Sequence, residues 1–109
     1  FSACYWSGRP IENMMFSQVY AADAPWNDTA WKNVKFNQLL VEARAELETS
    51  KRRSMYVEMQ QILHNDGGLI LPLFQSDVLA YHDRLAVPEL IGNNWELDGG
   101  KNSERWWFS

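Results

Sequence analysis

The chain has 109 residues, which is enough for one domain of ordinary size. Hydrophobic residues make up 46% and charged residues 22% of it, a globular composition, and the formal net charge is −4. This charge argues against a nucleic-acid partner, because phosphate binding needs clustered positive charge and the only basic run is Lys51–Arg53. No segment has the roughly 20 consecutive apolar residues that a membrane-spanning helix needs.

The first residues, FSACYW, predict a strand over residues 1–6. We expect no signal peptide here, and since the chain lacks an initiator methionine, we interpret it as processed or as a piece of a longer protein. Cys4 is the only cysteine and cannot form an internal disulfide. Its aromatic neighbours favour a buried thiol over a nucleophile.

Three helices are predicted next, over residues 11–20, 34–48 and 51–66. Pro10 and Glu12 suit the first turn of the first helix, through a fixed φ and a favourable interaction with the helix dipole. One apolar stripe at helical spacing runs along the second helix: Phe36, Leu39, Leu40, Ala43 and Leu47.

The third helix is predicted to pack against the second. Ser50 is a plausible N-cap, and apolar residues again recur at helical spacing from Met55 to Leu63. Because the link between the two helices is very short, we expect them to be antiparallel neighbours. Gly67 and Gly68 are expected to end the third helix in a left-handed conformation.

Strands are predicted over residues 69–75, 78–81 and 104–108. The first is apolar on both faces, which is typical of a buried strand, although Pro72 implies a bend, a bulge or an edge. Asp98-Gly99-Gly100 predicts a turn. The pattern as a whole indicates an α/β fold.

Residues that could carry catalysis do not form a recognisable pattern. His64 lies at a predicted helix end, and His82 follows a predicted strand, where a loop role is favoured over metal ligation. No spacing resembles a zinc site or a nucleotide-binding loop. No two acidic residues are paired for acid–base chemistry. We therefore expect no enzyme activity, no metal and no cofactor.

Tryptophan is unusually frequent, at six residues: Trp6, Trp26, Trp31, Trp95, Trp106 and Trp107. Anchoring of core and loops is the favoured interpretation, because large rings dominate buried area. A stacking surface for a sugar or an aromatic ligand is the alternative, and spacing does not separate the two.

Three stretches together resemble the C-terminal quarter of a family 5 extracellular solute-binding protein, the peptide- and nickel-type binding component of bacterial ABC transporters. They read YWSGRPIENMMFSQVYAADAPWND, FNQLLVEARAELETSKRRSMYVEMQQIL and NDGGLILPLFQSDVLAY. The resemblance covers nearly the whole chain. Members of this family are several hundred residues long, so it implies that the first three quarters lie outside this sequence.

The resemblance implies a type II periplasmic-binding-protein-like fold, in which two lobes close around a ligand. It implies that residues 1–109 are one fragment, with about 1–74 from the distal lobe and about 77–109 returning to the first lobe. The hinge crossing would be residues 72–77.

The implied ligand-cleft residues are Trp6, Ser7, Gly8, Arg9, Phe74 and Gln75. Peptide-binding members carry an aspartate in the loop that corresponds to Trp6–Pro10, where it pairs with the peptide's ammonium group. This loop has no aspartate, and Arg9 instead suits an anionic group.

The implied function is the binding of a peptide or related small solute for uptake. The partner would be an inner-membrane ABC permease, and the location periplasmic, or lipid-anchored outside the membrane in a Gram-positive. A carbohydrate- or aromatic-binding module built on the tryptophans, and a small enzyme, are the alternatives.

A fragment cut at a strand leaves sheet edges unpaired, so we also expect self-association.

Overall fold

The computed structural model describes residues 3–109, and they form two compact units. Ile11–Leu71 is the helical unit, and residues 3–10 together with Pro72–Ser109 are the terminal unit. Helices dominate, and the β-structure of the described residues is one two-stranded sheet. At this coarse level the chain is a mixed α and β protein.

The helical unit contains all three of the predicted helices. They are α1 (Glu12–Met15), which continues as a π-helical turn over Phe16–Tyr20, α2 (Val34–Ala45) and α3 (Thr49–Asp66). The prediction of helix over 11–20 is therefore confirmed, whereas α2 ends earlier and α3 begins earlier than predicted.

The boundary between α2 and α3 corrects two expectations. Glu46 has an extended backbone, with φ −75° and ψ 122°, so Leu47 lies beyond the helix and is 90% exposed instead of lying on the apolar stripe. The N-cap of α3 is Glu48, and Ser50 lies inside the helix, where its carbonyl oxygen accepts from the Ser54 hydroxyl at 3.0 Å. The predicted cap is thus the second residue of the helix.

The core of the helical unit is built around Phe36 and Met59, which are both fully buried. The Phe36 ring lies 5.3 Å from that of Phe16 and 5.2 Å from that of Trp31, between ring centroids. Further buried members of this cluster are Leu39, Leu40, Ala43 and Tyr56. The predicted stripe on α2, apart from Leu47, therefore faces α3 as expected.

Hydrogen bonds at both ends show that α2 and α3 are antiparallel, as predicted. Asp66 at the end of α3 accepts from Trp31 Nε1 at 3.2 Å and from Asn33 Nδ2 at 3.1 Å, just before α2 begins. At the opposite end, Arg52 Nη1 donates to the carbonyl oxygen of Glu46 at 3.3 Å.

Gly67 ends α3 by a different mechanism from the one predicted. Its φ of −64° and ψ of 148° are extended and not left-handed. A Cβ at this position would collide with the carbonyl oxygen of Leu63, which accepts from the Gly67 amide at 2.8 Å. Glycine is therefore needed for close approach of the backbone and not for a positive φ.

The terminal unit contains short elements only. Strand β1 (Leu85–Ala86) pairs antiparallel with β2 (Trp107–Phe108), with Leu85 opposite Phe108. Between them lie two single turns, α4 (Glu96–Gly99) and α5 (Asn102–Arg105). The predicted strand over 104–108 thus reduces to β2.

The predicted strands over 69–75 and 78–81 are wrong, and residues 3–6 also form no strand. Phe1 and Ser2, which begin the first predicted strand, lie outside the described residues. Residues 68–84 are all exposed. An apolar sequence favours a strand only where another strand offers hydrogen bonds, and the described residues pair none with this segment.

We predict that Phe36→Ala destabilises the helical unit by about 3–5 kcal/mol, because it removes a fully buried ring from the centre of the core. Val34→Ala, in the same helix at an 85% exposed position, is the matched control and should change stability by less than about 0.5 kcal/mol. Urea unfolding followed by circular dichroism measures both. Equal urea unfolding midpoints for the two variants would contradict the assignment of Phe36 to the centre of the core.

Candidate ligand-binding residues and a buried carboxylate

Four of the predicted ligand residues are consecutive in the terminal unit. Trp6, Ser7 and Gly8 are exposed, and Arg9 is half-buried. Arg9 Nη1 donates to the carbonyl oxygens of Ser7 at 3.1 Å and Gly8 at 3.0 Å. The guanidinium therefore holds the backbone of its own loop, in addition to any role with an anion.

The other two predicted residues, Phe74 and Gln75, belong to the same unit. Both are exposed, and Phe74 is 88% exposed. They lie on backbone without regular secondary structure, directly after Pro72. All six predicted residues thus share one compact unit, on two segments that are far apart in the sequence.

The best-defined polar site of the terminal unit is one that the sequence did not indicate, the carboxylate of Asp98. This residue is 2% exposed. Its Oδ1 accepts from the Gly92 amide and from Arg105 Nη1, both at 2.6 Å, and its Oδ2 accepts from Trp106 Nε1 at 3.1 Å. Arg105 Nη2 also donates to the carbonyl oxygen of Leu90 at 2.8 Å. One carboxylate therefore connects three separate segments of the unit.

The surroundings of Asp98 keep its carboxylate charged. The hydrogen bond from the Gly92 amide is the largest cause that lowers its pKa, and the Trp106 and Arg105 side chains lower it further, against the opposing effect of burial. A carboxylate that is ionised and already accepts three hydrogen bonds stabilises the fold and is poorly suited to donate a proton to a substrate.

The backbone at this carboxylate is left-handed. Leu97, Asp98, Gly99 and Gly100 have φ values of 52°, 63°, 67° and 77°. Aspartate and glycine tolerate this region, whereas for Leu97 the left-handed conformation costs about 1–2 kcal/mol. The Asp98-Gly99-Gly100 triplet correctly predicted a turn. Nothing in its spacing indicated that Arg105 and Trp106 would reach the carboxylate.

The tryptophans are more exposed than the favoured interpretation expected. Trp6 is 41%, Trp26 46%, Trp95 62% and Trp107 58% exposed. Trp31 lies at the edge of the helical core and Trp106 donates to Asp98, so these two have the expected anchoring role.

Cys4 is also exposed, so the expectation of a buried thiol is wrong. Its aromatic neighbours in sequence do not cover it, because no strand forms there. His64 and His82 are exposed as well. Within residues 3–109, no three His, Cys, Asp or Glu side chains lie close enough to hold a metal ion.

Two shallow depressions open on the helical unit, and neither contains a predicted ligand residue. One lies beside Glu42, Glu46 and Met55, and the other beside Asn33 and Glu58. In the described part of the chain, no helix combines the length and the apolar character needed to cross a membrane.

Comparison of the chain with protein-family models, with curated proteins and with solved structures gave no match.

We predict that Asp98 stabilises the terminal unit in its ionised form. Because its pKa is lowered on folding, this stabilisation is complete above the ordinary aspartate pKa of about 3.9 and is lost as the pH falls through the lower pKa of the folded state. The Gly92 amide proton, followed by NMR during acid titration, should report the change. Asp98→Asn should abolish this titration and loosen the unit at neutral pH.

Glu89→Gln, which removes an exposed carboxylate from the same unit, is the control and should leave the Gly92 titration intact. A Gly92 amide that titrates at or above the ordinary aspartate range would contradict the assignment.

Proposed function

We propose that this chain is the C-terminal part of a family 5 extracellular solute-binding protein with a type II periplasmic-binding-protein-like fold. In this proposal it helps to bind a peptide or a related small solute, which an inner-membrane ABC permease then imports. The protein would act in the periplasm, or lipid-anchored outside the membrane of a Gram-positive, without catalysis and without a cofactor.

The observation that carries the proposal is the division of the chain into two compact units. The chain passes between them after Pro10, where the resemblance implies no crossing, and again after Leu71. The second passage lies next to residues 72–77, where the resemblance implies a return crossing between lobes. A binding protein that closes around its ligand needs two separately folded bodies joined by such crossings.

The chemistry of the terminal unit supports an anionic group on the solute. Arg9 is the cation of the predicted cleft, and its Nη1 bonds to Ser7 and Gly8 fix the guanidinium within its loop. An arginine held in this way loses little conformational entropy when it pairs with a carboxylate. Phe74, with its exposed ring, offers an apolar contact.

A second candidate function is supported by the exposed tryptophans. Trp95 and Trp107 are more than half exposed, and sugars stack on such rings. In this case the chain would be a carbohydrate- or aromatic-binding module, and Arg9 would not contribute to affinity.

We predict that, in the complete polypeptide that contains this chain, Arg9→Gln weakens binding of trialanine by about tenfold or more, because hydrogen bonds to a charged group contribute about 1.5–3 kcal/mol. Trialanine amide, which lacks the carboxylate, should bind equally weakly to both forms. Isothermal titration calorimetry measures the affinities. Arg53→Gln, an exposed arginine of the helical unit, is the control.

The two candidate functions give opposite results in this experiment. Binding of cellotetraose that is lost in Trp95→Ala and unchanged in Arg9→Gln would replace the transport proposal by the carbohydrate one. A trialanine affinity that changes neither in Arg9→Gln nor when the carboxylate is replaced by an amide would contradict the assigned role of Arg9.

A further inference from the structure

The terminal unit lacks an apolar core of its own. Among the described residues, every buried apolar side chain belongs to the helical unit, and the one buried residue of the terminal unit is Asp98. Large apolar side chains instead lie on the surface along one segment: Leu73 (67% exposed), Phe74 (88%), Val78 (94%), Leu79 (40%) and Tyr81 (49%).

The exposed area of the chain exceeds what two compact domains of these lengths would expose, so it is large enough for an interface with a partner. The accessible surface is 8790 Å². Two separate compact domains with the lengths of the two units would expose about 7,500 Å² in total. The excess is about 1,300 Å², and a stable dimer of standard size buries about 800 Å² on each partner.

Pro72 determines which edge of this segment could pair with another strand. In a strand, the N–H groups of alternate residues point to opposite edges. Proline has no N–H, so the edge that carries Pro72, Phe74, Ser76 and Val78 is incomplete. The opposite edge, formed by Leu73, Gln75, Asp77 and Leu79, has all of its donors.

We propose that Pro72–Ala80 forms an antiparallel strand pair with the same segment of a second copy of the chain, through the Leu73–Leu79 edge and with the two-fold axis at Ser76. In this register Leu73 lies opposite Leu79 of the other copy in hydrogen-bonded pairs. The inference does not depend on the identity of any solute.

The side chains agree with this register. Phe74 lies opposite Val78 of the other copy, in a pair without backbone hydrogen bonds, where side chains are closest. Aromatic and β-branched residues form favourable cross-strand pairs, and each dimer has two of them. The most exposed apolar residues of the segment are therefore the ones that cover each other.

Charge is compatible with this register. Asp77, the only charged residue of the segment, lies opposite Gln75 and not opposite its own copy. Moving the axis by one residue, to Asp77, would place two carboxylates directly opposite each other, which is unfavourable. Tyr81, whose ring centroid is 5.9 Å from that of Trp106, holds the end of the segment to the rest of the unit.

Disulfide formation in Ser76→Cys tests the axis directly. The two copies of this residue would have Cα atoms about 4.5 Å apart, within the range of a disulfide. Val78→Cys is the matched control, because Val78 is more than 90% exposed but its two copies would lie roughly 13 Å apart along the strands. Both variants also carry Cys4→Ser, which removes the native exposed thiol.

We expect Ser76→Cys to form a covalent dimer on mild oxidation at least about tenfold faster than Val78→Cys, as measured on non-reducing gels. Equal rates would indicate random collision and would overturn the proposal. A chain that remains monomeric by sedimentation velocity up to millimolar concentration would overturn it as well.

Charge pairing provides a second, reversible readout. Phe74→Lys combined with Val78→Glu places opposite charges across the pair, whereas Phe74→Lys combined with Val78→Lys places like charges there. The first variant should dimerise at least about tenfold more tightly than the second, and salt should reduce the difference. Indistinguishable dimerisation of the two would exclude this register.

Discussion

Across residues 3–109, burial of apolar side chains is confined to the helical unit, and this constraint explains most of the remaining structure. Phe36 and Met59 are fully buried between α2 and α3, with Phe16 packed beside them. The terminal unit has no comparable cluster among the described residues, so its short elements cannot be held by apolar packing. Polar contacts contribute much of its order, and several large apolar side chains, such as Phe74 and Val78, remain on the surface.

The Asp98 carboxylate replaces a core in the terminal unit. It accepts hydrogen bonds from the Gly92 amide, the Arg105 guanidinium and the Trp106 indole, none longer than 3.1 Å. These groups come from segments that otherwise have little regular structure. Hydrogen bonds to a charged acceptor are roughly twice as strong as neutral ones. They offset the unfavourable left-handed conformation of Leu97, which brings Asp98 into place.

Local sequence patterns predicted the helical unit well, because its helices are amphipathic and contact each other across a short link. They failed for Leu69–Phe74, where an apolar run predicted a buried strand although strand formation depends on a distant partner. Asp98 was missed for the same reason: Arg105 and Trp106 reach it through turns whose geometry no pattern of adjacent residues specifies. The candidate ligand residues came from a resemblance, and the geometry adds only that they share one unit.

The same segment is central to both proposals, and physical reasons connect them. A largely apolar segment with one complete hydrogen-bonding edge forms a strand only when another strand pairs with it, whichever chain provides that strand. The same segment of a second copy can provide that strand, because its apolar residues lie symmetrically about Ser76. Pairing about Ser76 then satisfies the N–H and C=O groups of the Leu73–Leu79 edge. In this register the two copies of Asp77 do not lie opposite each other.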